Sequence, residues 1–99
     1  MSYEVEGREI DFSPMNAKDV LKAKNAVIAL SVLKNTNGLG FIEANQVLDD
    51  LAFKYLKIRN YDGKWIENID MDDLVYYFKE ESSIIKISLL FVEKVKELF

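Results

Sequence analysis

Asp70, Asp72 and Asp73 gather three carboxylates into four consecutive positions, and clustered carboxylates are the obvious start of a cation site. A calcium loop, however, needs oxygen ligands at alternating positions, a central glycine and a closing glutamate. No glycine follows here, and the triplet stands where a helix begins, so helix capping and the helix dipole account for it. Asn37-Gly38-Leu39-Gly40 precedes a helix as a phosphate-binding loop would, yet it has neither the lysine–serine set nor the glycine spacing of such loops. It reads as a helix–helix connection. Glu80 and Glu81 are adjacent helical positions that do not face each other, and no nucleophile or oxyanion site lies beside them in the sequence. With no histidine and no cysteine, the chain lacks the usual neutral-pH acid/base group, the commonest metal ligand and any thiol chemistry. The expectation is a protein without catalysis, cofactor or metal.

Side chains that could hold another protein are easier to find. Tyr55, Tyr61, Trp65, Tyr76, Tyr77 and Phe78 bracket an Asp62-Gly63 turn, and aromatics at a turn and a helix end serve as core or as binding anchors. Trp65, in a polar stretch, is the best candidate for surface recognition. The last apolar segment carries Ile84, Ile85, Ile87, Leu89, Leu90, Phe91, Val92, Val95, Leu98 and Phe99. A helix apolar nearly all round is either central to a core or shared with a partner. Ile84, Ile87, Phe91, Val95 and Leu98 are therefore candidates both for a partner or self-association surface and for the buried centre of the domain.

The elements that must position these residues follow from periodicity. Tyr3, Val5, Ile10 and Phe12 alternate around Glu6-Gly7, which predicts a β-hairpin with Gly7 supplying positive φ. Pro14 ends the strand. Asn16 is the expected N-cap of a first helix, Ala17 to Leu33, with Asp19 in capping-box position. Asn35 to Gly40 is the clearest loop. Phe41, Ala44, Leu48, Leu51, Tyr55 and Ile58 step by three and four, predicting a second helix from Phe41 to Ile58. Asn60 to Trp65 is a turn that can close a small hairpin. Asp70 caps a third helix reaching Lys79, with Ile69 and Leu74 placed as a staple. Glu80 to Ser83 is a break, and a final helix runs towards Phe99. The fold class is mainly α (α+β): one domain over residues 1–99, an N-terminal β-hairpin followed by a bundle of about four helices.

Composition sets the outer limits. Ninety-nine residues, 49% of them hydrophobic, suffice for one modest core. Thirteen basic against seventeen acidic residues give net −4, which disfavours nucleic acid. Between residues 62 and 81 seven acids face only two bases, whereas Lys18, Lys22, Lys24 and Lys34 make the first helix locally basic. Such opposed faces suit head-to-tail self-association or pair within the fold. The polar, acidic start is unlike a signal peptide. The longest apolar runs, Ala26–Leu30 and Ser88–Val92, are far too short to span a membrane, so an intracellular domain without cysteine is expected.

Two phrases of this sequence resemble a known group. Val5-Glu6-Gly7-Arg8-Glu9-Ile10-Asp11-Phe12 followed by Ser13-Pro14-Met15-Asn16-Ala17-Lys18-Asp19-Val20-Leu21 is similar to the opening of tail assembly chaperones of long-tailed bacteriophages. Asn68-Ile69-Asp70-Met71-Asp72-Asp73-Leu74 is a looser second similarity, and together they touch about a quarter of the chain. The resemblance implies a protein that binds the tape-measure protein and tail-tube subunits during assembly and forms homo-oligomers. It implies a short form alongside a frameshifted longer one, located in the cytoplasm of the bacterial host and left out of the mature virion. It supplies no site residues, so the candidates above rest on the residues themselves. Two other classes fit the composition: a small acidic regulator or inhibitor of a host protein, and a structural tail-completion protein.

Overall fold

Glu6 and Gly7 both adopt positive φ, 51° and 76°, the pairing that a tight hairpin turn needs to match the right-handed strand twist. The turn joins β1 (Tyr3–Val5) to β2 (Arg8–Phe12), with Tyr3 opposite Ile10 and Val5 opposite Arg8. A two-stranded ribbon is marginal in water, and here it is extended to a four-stranded antiparallel sheet in the order β1-β2-β3-β4. The computed structural model describes residues 2–33 and 39–99, leaving aside the side chains of Leu33 and Leu39.

Asn16 caps α1 (Ala17–Leu33) as expected: its Oδ1 accepts the Asp19 N–H at 2.8 Å. The predicted loop from Asn35 lies outside the described residues, and so does Lys34, except that Leu39 and Gly40 already open α2 (Leu39–Tyr55). The predicted second helix is too long at its far end. Leu56–Arg59 forms β3, entered directly from the helix, with Leu56 and Ile58 buried and Lys57 and Arg59 turned outwards. The cause is tertiary: Ile10 needs Ile58, and Phe12 needs Leu56, as cross-strand partners. Asp62-Gly63 then turns the chain into β4 (Trp65–Ile66), so the small hairpin exists and belongs to the sheet.

Asp70 caps a 3-10 turn (Met71–Asp73) by accepting the Asp72 N–H, and a single α-turn follows, α3 (Leu74–Tyr77). The third helix thus stops short of Lys79. The expected break at Glu80 to Ser83 is instead the start of α4 (Glu81–Lys96). Glu80, its N-cap residue, makes no side-chain cap bond. The Glu6 carboxylate, reaching over from the hairpin turn, accepts the N–H groups of Lys79 and Glu80 at 3.2 Å each. A distant side chain thus fastens the two residues that lead into α4.

One layer of the molecule is the sheet; the other is helical. Val5, Ile10, Phe12, Leu56 and Ile58 line the inner face and meet Ile87, Phe91 and Val95 of α4 in one buried cluster. Phe12 and Phe91 pack edge to face with centroids 5.2 Å apart. Ala23 and Ala26 of α1 and Ala44 and Ala52 of α2 are buried in the same cluster, as small residues at a close helix–helix approach should be. The class is α+β, mainly helical, as the periodicity predicts.

Candidate functional site

Ile87, Phe91 and Val95, proposed from sequence as partner-binding residues, are at most 1% exposed. Their i, i+4, i+8 spacing places them on one α4 face, and the sheet needs that face to bury its own apolar side. Of the two readings of this helix, the core reading holds for these three residues, and the partner-surface reading is corrected. Leu98 lies beyond the end of α4 and is exposed. Trp65 stands half-buried on the outer face of the sheet, opposite Arg59. Its ring is flanked by the Lys57 ammonium, 4.9 Å from the centroid, and the Arg59 guanidinium, 5.5 Å away. Arg59 also pairs with Glu9 at 3.2 Å. These neighbours account for Trp65 as a cation–π platform that closes the sheet face.

Ile84 is the candidate that leads to a surface feature. It lines a groove of ≈ 570 Å³ between α2 and α4, with Ile69, Asp70 and Met71 also in its lining. Phe53 and Ile84 contribute to its apolar lining. Ile85 and Met71 line it while 58% and 55% exposed. Leu89, one turn beyond Ile85 on α4, is also exposed and continues the apolar row. Asp49 and Asp50 of α2 and Asp70 stand among the lining residues. Asp72 and Asp73 extend the acidic edge along the 3-10 turn. Among the described residues, none of these five carboxylates forms an ion pair with a lysine or arginine.

Lys54 also lines the groove, but its ammonium is held elsewhere. It donates to the Asp19 carboxylate at 2.9 Å, which also accepts from the Tyr55 hydroxyl and from Asn16 Nδ2 at 3.4 Å. Asp19 is buried, 4% exposed. The Tyr55 hydroxyl first, and Lys54 next, hold its carboxyl below the usual carboxylate range, while Asp19 raises Lys54 and Tyr55 above theirs. A carboxylate with three donors on it makes a poor general base; it fastens the start of α1 to the end of α2. Lys94 plays the matching part for α4, donating to Asp11 at 2.9 Å and to the Phe12 carbonyl at 3.1 Å.

A second cleft, ≈ 510 Å³, runs between α1 and α2. Its wall includes Ala26, Ala29, Ala44, Val47 and Leu51 with Lys22, Glu43 and Asp50, and among the described residues no large apolar side chain of this wall is strongly exposed. The α2–α4 groove is the better site, because exposed apolar side chains and uncompensated charge coincide there. Sequence reasoning missed Met71, Ile85 and Phe53 as a group. Met71 reads as a helix-start residue, and Ile85 is lost among nine other apolar residues of its segment. The available signal was the acid-rich stretch beside them.

Among the described residues, no group of three carboxylates converges as a metal site, and no helix is long and apolar enough to cross a membrane. In comparisons with known proteins, the chain matches no family model, no curated protein and no solved structure.

Proposed function

We propose that this chain is a non-catalytic holding protein of the phage tail-assembly chaperone kind, which covers apolar helical stripes of a tape-measure protein, and surfaces of tail-tube subunits, until they assemble. The observation that carries the reading is the exposed apolar surface on an otherwise well-satisfied fold. Ile42, Met71, Ile85 and Leu89 are solvent-exposed around the α2–α4 side, and Leu21, Ile28 and Val32 form a row on α1. Their spacing of seven and four puts the last three on one helix face. Patches of this kind on a stable domain mark association surfaces. The resemblance over residues 3–21 supplies the identity of the partner class, and a host cytoplasmic location follows from it.

The test is the DNA around the coding region. The proposal expects an overlapping frame reached through a slippery heptamer, followed by a very long, helix-rich reading frame. A gene standing alone or among regulators would overturn it and favour the acidic-regulator reading instead.

A further inference from the structure

We infer that the α2–α4 groove seats one amphipathic helix whose apolar ridge is flanked by lysine or arginine. The inference rests on the holding function above and names the site and the partner chemistry for it. Three observations specify the occupant. The groove is lined by two helices, α2 and α4, so an occupant meets helical side-chain ridges on both sides. Its apolar lining includes Phe53, Ile69 and Ile84 behind the exposed Ile85 and Met71, so a continuous apolar ridge gains the most by entering. Asp49, Asp50 and Asp70 line it without an ion-pair partner among the described residues, and Lys54, the one cation in the lining, is engaged by Asp19. Bringing an acidic or neutral ridge there leaves the carboxylates facing like charge or a dry surface. A basic flank compensates them.

The probe is a labelled model peptide of leucine and lysine, about fourteen residues or close to four helical turns, with a leucine–glutamate peptide of the same pattern as control. Fluorescence anisotropy is read on wild type, Ile85→Glu, Met71→Glu and, outside the groove lining in the turn before β4, Lys64→Gln, which lowers the net charge by the same one unit; each is verified folded by its circular-dichroism melt. Expected are binding of the leucine–lysine peptide to wild type and Lys64→Gln alike, and a loss of about tenfold or more in Ile85→Glu and Met71→Glu. Both groove variants make the protein more acidic, so a peptide held by charge alone would bind them more tightly. Equal or tighter binding by Ile85→Glu, no binding to wild type, or equally tight binding of the leucine–glutamate peptide overturns the inference. The two proposals fail separately. A tape-measure partner retained equally by Ile85→Glu removes the groove and leaves the function; a groove that takes the peptide in a protein with no phage-tail gene beside it removes the function and leaves the groove.

Discussion

Asp19 shows how a residue chosen for one local duty is recruited to a larger one. Its backbone N–H completes the Asn16 cap, while its buried carboxylate ties α1 to Lys54 and Tyr55. Because its folded pKa lies below the ordinary value, its contribution to stability is present above about pH 4 and is lost as pH falls through the lowered folded value. Asp19→Asn should therefore be less stable than wild type at neutral pH, and the gap should close on acidification. Urea midpoints measured across the acid limb check this; a gap that persists unchanged at low pH would mean the charge is irrelevant. The cap itself was legible, since Asn16 and Asp19 stand in capping-box spacing. The cross-helix clasp was not, because nothing local says that a first-turn carboxylate faces the end of another helix. The same holds for Glu6. Its turn position is readable from Glu6-Gly7, but its hydrogen bonds to the start of α4 join residues more than seventy positions apart.

Among the elements, the start of α1 was readable because Asn16 and Asp19 stand in capping spacing ahead of it. The end of α2 was not, because Tyr55 and Ile58 continue the helical step while Leu56 and Ile58 equally fit a strand, and only pairing with β2 decides between them. The start of α4 was missed for a related reason: the residues leading into it are held from the hairpin, and no local side chain caps it. The face of α4 that matters most is now assigned, and it separates two substitutions four helical positions or fewer from one another. Phe91→Ala removes a fully buried ring packed on Phe12 and should cost about 3–5 kcal/mol. Leu89→Ala, on the exposed side, should stay within about 0.5 kcal/mol of wild type. Chemical denaturation of both variants reads the difference directly. Similar losses in the two would contradict the orientation of α4 described above.

As a whole, the molecule keeps its inner sheet face and the Ile87–Phe91–Val95 face of α4 for itself, and leaves the outward side of α2 and α4 apolar and acid-rimmed. The fold class was legible from periodicity and from the missing histidine and cysteine came the expectation of no catalysis. The groove was not legible, because it is assembled from three segments whose separate sequences each have an ordinary structural explanation. The central claim is that this surface keeps an apolar helical partner soluble. The most direct measurement takes the long helix-rich protein that the proposed function expects to be encoded beside this chain, co-expresses it with wild type or with Ile85→Glu, and quantifies both in the soluble fraction. Expected are a soluble complex with wild type and loss of the long partner to the pellet with Ile85→Glu. Equal solubility of that partner with the wild type, with the variant and with no co-expressed chain would contradict the claim.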